Sequence, residues 1–419
     1  MSLKRNFTWM LTSKTLLVLT GLITAGLINR SLGPEGRGIF AEMQTWVVLF
    51  MVVFGISIDT VIYHFSNKSL HGDNDAEKFM TIFLLNVFYA LLAVVAMTFF
   101  VFFWPSQVSL ETKQSIFLLD IFLIFFMLSS NLTVFFQSLG KIKFSAIIGI
   151  VQALVNVGVI GTGYLFGFIN INFVVISMII VQAISLGIIF LLSMKLKFVF
   201  GHFSKKLAAS LIKAGLKFHI ATISAFIYTR INQIIVFKYC GAYEAGIFAV
   251  SLTLAISVMF IPGTFQIALY PRVIHSNDDY EVTLKSLRLG FYVWGIAVIA
   301  IVLLAKPILL IYSGKSFLES VNVFRVLMIG TWALPLSSLI APYCVKKGIF
   351  SLLSFSAAGL GILSIGLNLL LVPNYKSMGA AIATSLTCVI GFLGGIILLW
   401  VVSKKNPFGF IKPVFKKYA

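Results

Sequence analysis

Apolar residues occupy this chain in long blocks, with the polar residues gathered between them. Twelve blocks are apolar over about the 20 residues that a helix needs to cross a bilayer. Their cores are 16–28, 39–62, 79–103, 115–139, 144–166, 173–194, 219–237, 247–269, 289–304, 323–345, 352–372 and 380–402. The longest segment between blocks, 195–217, divides them six and six. The pattern predicts an N-terminal six-helix bundle over 1–196, a linker over 197–217, a C-terminal six-helix bundle over 218–403 and a basic tail over 404–419. Within the linker, Leu207, Leu211 and Ala214 fall on one helical stripe flanked by Lys206, Lys213 and Lys217, which predicts a helix lying in the cytoplasmic membrane surface. No small-residue cleavage site follows the first block, so it is expected to be a retained helix.

The two halves also share a sequence. Gly33, Pro34, Glu35, Gly36, Arg37, Gly38, Ile39, Phe40 and Ala41 align with Gly241, Ala242, Tyr243, Glu244, Ala245, Gly246, Ile247, Phe248 and Ala249, 208 residues later, with five of nine positions identical. Each tract separates two apolar blocks. A duplicated membrane half-protein that encloses a central cavity is therefore expected. Gly33, Gly36, Gly38, Gly241 and Gly246 are expected to serve tight turns or close backbone contact.

Composition agrees with a membrane class: 59% of residues are hydrophobic, 11% are charged and the mean hydropathy is +1.03. The formal charge of +19 would suit nucleic acid if it were clustered. With the amino terminus inside, however, 23 of the 32 basic residues fall on the cytoplasmic side of the predicted topology. That asymmetry is an orientation signal, with attraction to anionic lipid as a second effect, and it puts both termini in the cytoplasm. No nucleic-acid partner is expected. Cys240, Cys344 and Cys388 form no disulfide framework, and no metal-ligand spacing or phosphate-cradling loop is present. The chain is expected to hold no cofactor and to be a transporter, not an enzyme. Pro262, Pro271, Pro335 and Pro342, in or beside the eighth and tenth blocks, can bend those helices.

Charges at helix depth carry the sharpest functional signal, because each costs at least a few kcal/mol at the bilayer centre. Arg230 lies near the middle of the seventh block, with Phe226 four residues before it and Gln233 three after. Its guanidinium has two physical explanations: an ion pair with an intramembrane carboxylate, or a fork for an anionic group such as a phosphate. The carboxylates at depth are Glu42, Asp59 and Asp120, the candidates for coupling to a proton or sodium gradient. Glu42 and Asp59 are 17 residues apart, about 25 Å of helix rise, too far for a shared proton. Amides at Gln44, Asn86, Asn131, Gln137, Gln152, Asn156, Gln182, Gln233 and Asn368 serve either interhelical hydrogen bonds or a polar cavity. The candidate substrate-binding set is Arg230, Gln233, Arg30, Arg37, Lys14 and Asn156.

Arg30, Leu32, Gly33, Pro34, Glu35, Gly36, Gly38 and Ala41 resemble the loop after the first helix of polysaccharide flippases, exporters that move lipid-linked O-antigen units across the bacterial inner membrane. Arg230, Asn232, Gln233 and Gly246 match that family's pattern around its seventh helix. Pro271 and Arg272, then Gly314, Lys315 and Phe317, and then Pro373, Tyr375, Gly379, Ala380, Ala381, Ile382 and Ala383 agree at later positions. The chain departs at Asn232, where many relatives carry aspartate. The resemblance implies an all-α membrane fold of twelve helices in two bundles, within the superfamily that also holds multidrug exporters. It implies an undecaprenyl-diphosphate-linked oligosaccharide as substrate, and other polysaccharide-assembly proteins as partners. Two alternatives share parts of this pattern. A multidrug exporter of the same fold favours cavity carboxylates, and the first block has none between Thr15 and Asn29. A glycan polymerase needs a long outer loop, and the predicted outer loops are short.

Overall fold

The computed structural model describes residues 3–67, 74–104, 108–260 and 278–411, with 262, 263, 269, 273 and 276 as isolated positions between them. Pro271, Arg272 and the last eight residues of the basic tail lie outside the described residues. Regular structure among the described residues is helical: α1 (Leu3–Phe54), α2 (Ile58–Asn67), α3 (Asp75–Phe103), α4 (Leu110–Gln114), α5 (Ile116–Ser138), α6 (Ile142–Leu165), α7 (Ile171–Lys195), α8 (Lys205–Val258), α9 (Asp279–Leu303), α10 (Ala305–Ser313), α11 (Ser320–Ser338), α12 (Ala341–Lys346) and α13 (Phe350–Ser403).

Nine helical stretches among these residues are long and apolar enough to span a membrane. Three elements are too long for one crossing. α1 has 52 residues, and α8 and α13 have 54 each; at 1.5 Å per residue that is about 80 Å of helix, against a hydrocarbon core of about 30 Å. Each is broken once, at Gly33, Gly241 and Lys376 respectively. Counting their arms separately gives twelve apolar segments. The chain is a multi-pass, all-α membrane protein.

The breaks at Gly33 (φ 65°, ψ −177°) and Gly241 (φ 81°, ψ −179°) have nearly the same backbone conformation. They are the first residues of the two repeated tracts, so the duplication marks the same reversal twice. This region of backbone space is almost closed to residues with a Cβ. Pro34 then starts the second arm of α1 at a position that needs no amide donor. Gly38 and Gly246 are buried inside the arms that follow. At the third break Lys376 (φ 51°, ψ −134°) takes the strained role without glycine. Glu244 lies against that turn: Lys376 Nζ is 3.2 Å from Oε1, and Ser377 donates its hydroxyl to Oε2 at 2.6 Å. A carboxylate at the start of the second arm of α13 complements the helix dipole there.

The chain divides into two compact units, residues 1–226 and 227–419, and the boundary falls inside α8. The core of the first unit is aromatic. Phe79, Phe135, Phe136 and Phe198 are nearly or fully buried, with ring centroids 5.8 to 6.2 Å apart. Lys141 Nζ caps this group, 5.0 Å from the Phe198 ring centre. The expected interfacial segment is helical, but it runs without a break into the rest of α8. Its stripe is packed, with Leu207 and Leu211 buried in the core of the first unit. In the second unit Phe291, Trp332, Phe392 and Phe410 pack together, the last carried by the 3-10 turn Pro407–Ile411. Asp279 at the start of α9 binds Lys346 Nζ at 3.4 Å and Lys347 Nζ at 3.1 Å. Hydrogen-bonded to that carboxylate, the Lys347 ammonium is held above its ordinary lysine value. Pro335 and Pro342 flank the interruption between α11 and α12, which divides the tenth block as a bend there requires.

The matched breaks give a direct test. Gly33→Ala and Gly241→Ala meet no neighbouring atom within 4 Å, so their cost is purely conformational, about 1–3 kcal/mol each. Both should melt earlier than the parent in a detergent thermal-unfolding assay. Gly158→Ala, with open space and ordinary helical geometry, should melt no earlier.

Candidate functional site

The polar side chains at helix depth sort into those that tie helices together and those that remain accessible. Glu42 belongs to the first kind. It is 1% exposed and uses both oxygens. Oε1 accepts from Trp46 Nε1 at 3.0 Å and from the Ser109 amide at 3.1 Å; Oε2 accepts from Ser109 Oγ at 2.6 Å and Thr112 Oγ1 at 2.9 Å. The second arm of α1 is thereby fastened to the start of α4. An equivalent fastening in the second unit uses neutral groups: Ser320 Oγ donates to the Ile247 carbonyl at 3.1 Å, and Ser251 Oγ donates to the Ser320 carbonyl at 3.0 Å. Leu110, Glu111 and Thr112 lie 208 residues before Leu318, Glu319 and Ser320. The repeat thus extends beyond the tract recognised in the sequence, and that second alignment is the signal that would have revealed the fastening.

Amides do similar work. Asn156 Nδ2 donates to Thr24 Oγ1 at 3.3 Å, joining α6 to the first arm of α1. Gln233, 3% exposed, donates to the Ala245 carbonyl at 3.1 Å and so holds together the two arms of α8 across their break. Asn232 is fully buried and donates to Thr384 Oγ1 of α13 at 2.8 Å. Ser129 with Gln182, Gln137 with Ser145 and Asn131 with Asn86 complete a set of interhelical bonds in the first unit. Asp120 on α5 accepts from Thr98 Oγ1 of α3 at 2.8 Å.

Arg230 is different. Its side chain is exposed, although its α8 neighbours Phe226 and Gln233 point inward and are buried. Among the described residues no carboxylate lies within 4.0 Å of it; the ion pairs there are Lys346 and Lys347 with Asp279, and Lys376 with Glu244. Of the other cations in the candidate set, Lys14 and Arg30 are exposed, whereas Arg37 is 6% exposed with its guanidinium 5.5 Å from the Phe40 ring centre.

The most irregular place in the first unit lies inside what reads in the sequence as one continuous apolar block, 39–62. Between α1 and α2, Ile56 (φ 46°) and Ser57 (φ 48°) are consecutive non-glycine residues in the left-handed region. Each costs of order 1 kcal/mol, and the β-branched Ile56 more than most. The helical ladder is interrupted there: the Gly55 amide still reaches the Met51 carbonyl at 2.8 Å, but the Ile58 amide turns to the Gly55 carbonyl at 3.1 Å. α8 holds the break in place. Ser57 Oγ donates to Thr222 Oγ1 at 2.7 Å, His219 Nε2 lies 3.1 Å from the Val53 carbonyl, and Gly215 sits where any Cβ would meet the Ile56 carbonyl at 2.3 Å. A cleft of about 70 Å³ opens beside the break, lined by Val52, Gly55, Ser57, Asp59, Ser130, Asn131 and Thr222 among others. Asp59 is exposed at this cleft, so of the three candidate coupling carboxylates it is the accessible one.

A family model described as polysaccharide biosynthesis protein matches residues 3–277. The chain belongs to this family. A Shigella flexneri protein named "Putative O-antigen transporter" is 23% identical over 96% of the chain and 98% of its own length. Among solved structures, the lipid II flippase MurJ in an inward closed conformation superposes with a TM-score of 0.71 at 16% identity, covering 96% of this chain and 88% of that one. The Vibrio cholerae MATE transporter VcmN gives 0.65 at 12% identity, with 96% and 97% covered. At these identities the structural likeness establishes the fold: twelve membrane helices in two bundles. The family places the chain in polysaccharide biosynthesis, and the Shigella flexneri relative carries the name of a transporter.

The fastening at Glu42 can be separated from any coupling role. Glu42→Gln should fold with a small loss of stability, because its amide oxygen can serve Trp46 and Ser109 while its NH₂ faces hydroxyls able to accept. Glu42→Leu strands four donors and should cost about 3 kcal/mol or more. Thermal unfolding checks the order, and transport retained by Glu42→Gln would show that the charge itself is not used.

Proposed function

We propose that this protein moves a polyprenyl-diphosphate-linked oligosaccharide, of the undecaprenyl type that carries O-antigen units, across the bacterial inner membrane by alternating access. The observation that carries the reading is Arg230: an exposed arginine at helix depth, without a carboxylate partner among the described residues. Such a group is costly in lipid and favourable against an anion. Its planar fork matches the geometry of a diphosphate. Lys14, Arg30 and Arg37 add positive potential to the same chain, and sugar hydroxyls are within the chemistry of its amides. The polyprenyl tail has no need of a protein cavity, since lipid solvates it. Family membership and the O-antigen transporter name of the Shigella flexneri relative support a lipid-linked glycan as cargo.

In this reading both termini face the cytoplasm, in keeping with the asymmetry of the basic residues. A proton or sodium gradient drives the cycle, and the flipped unit passes to other polysaccharide-assembly proteins. Accessibility of Arg230 argues against the structural ion pair that the sequence left open. Asn232 is no ion-coupling residue in this scheme, since its amide is spent on Thr384.

Complementation of a flippase deletion tests the central role. Arg230→Ala should reach the membrane at parental abundance and fail to restore surface polysaccharide. Arg230→Lys, which keeps the charge but loses the bidentate fork, should restore it weakly, about tenfold below the parent. Full activity of Arg230→Ala would remove the diphosphate-holding role.

A further inference from the structure

The break between α1 and α2 is more than an irregular joint. Oxygen-bearing side chains line its cleft: Ser57 from the break itself, Asp59 from the first turn of α2, Ser130 and Asn131 from α5, and Thr222 from α8. Asp59 is the single ionisable residue among them. Interrupted helices in membrane proteins present backbone carbonyls no longer spent on the ladder, and such carbonyls coordinate hard cations. Val52, one turn before Ile56, contributes to the same cleft. The C-terminal end of α1 points its negative dipole end at this place.

We propose that the cleft at the helix break is a sodium-binding site, with Asp59 as its charged ligand and the side chains of Ser57, Ser130 and Asn131 as its neutral oxygens. Three features select the ion. The side-chain donors that can coordinate are oxygens, which suits a hard cation and not a transition metal. One carboxylate balances one positive charge, whereas a divalent ion would leave net charge beside the apolar helices, at a desolvation cost. The cleft, about 70 Å³, accommodates a small cation together with waters that complete its shell, since one water needs about 10–15 Å³ of such space.

Occupancy has a mechanical consequence. Ser57 both lines the cleft and donates to Thr222, and His219 faces the Val53 carbonyl on the far side of the break. An ion drawing on Ser57 and the adjacent backbone stabilises the strained conformation of Ile56 and Ser57. Its loss frees that strain to relax. The use of the ion as a driving force rests on the flippase reading; the binding itself does not.

Hydrogen exchange tests the site without transport. The full-length protein in phosphatidylcholine nanodiscs is followed as sodium chloride replaces choline chloride at constant ionic strength and fixed pH. In the parent, sodium should slow exchange saturably in peptides covering residues 51–62. Asp59→Asn should need about tenfold more sodium, or lose the effect, as expected for removal of a charge-assisted ligand. Ser130→Ala, a milder change on a separate element, should shift the midpoint in the same direction, and Asp75→Asn at the start of α3 should leave it unchanged. No sodium-dependent protection in the parent would overturn the proposal. So would an unchanged midpoint in folded Asp59→Asn and Ser130→Ala, or equal protection by potassium. Complementation by the parent with no sodium effect on exchange would remove the site and leave the flippase reading intact; sodium binding without complementation would do the reverse.

Discussion

A chain that reverses direction again and again within a membrane must satisfy the backbone polar groups that each reversal exposes, because lipid offers them no partner. Most of what is particular about this structure answers to that constraint. Gly33 and Gly241 supply a backbone conformation that lets one arm end and the next begin without an intervening loop. Where glycine is absent, as at Lys376, a carboxylate from α8 covers the start of the next arm. Where the reversal is followed by a long apolar arm, a polar fastening holds that arm to the start of the fourth segment of its own unit. It is Glu42 on Ser109 and Thr112 in the first unit, and Ser251 and Ser320 with the Ile247 carbonyl in the second. The duplication has kept the position of the fastening while its chemistry diverged from charged to neutral.

The same accounting separates structure from function among the polar residues. An amide in a membrane helix has two ways to be tolerated: a partner on a neighbouring helix, or access to water. Asn156, Asn232, Gln233 and Asn131 have taken the first way. Interhelical hydrogen bonds of this kind are worth about 0.6 kcal/mol on average, so their value is chiefly in fixing register. Arg230 has taken neither an amide's route nor an ion pair's, and Asp59 is exposed where its helix is broken.

Much of the architecture was legible in the sequence because period and length are coarse signals. Twelve apolar blocks and a repeat offset of 208 residues are properties of long windows, and the blocks agree with nine long apolar helices among the described residues, three of them doubled. The roles of single residues were less legible. Gln233 and Asn156 carry the same groups whether they meet a sugar or a carbonyl, and only the neighbouring helix decides. The Lys205–Lys217 segment has an amphipathic stripe that fits a membrane surface or a protein core equally well; Leu207 and Leu211 went to the core. The break at Ile56 and Ser57 left no trace at all, since a β-branched residue is a poor predictor of left-handed backbone. Its cause is tertiary: the hydrogen-bonding groups and the bare Gly215 backbone that hold it belong to α8, more than 150 residues downstream.

That dependence makes the early turns of α8 part of the first unit's architecture. From Lys205 to its break at Gly241 α8 is uninterrupted helix, and its first turns clasp the strained joint through Gly215, His219 and Thr222. Left-handed backbone at Ile56 and Ser57 persists only where the surroundings over-determine it. Here those surroundings are one helix face, so the joint and that face hold or loosen together.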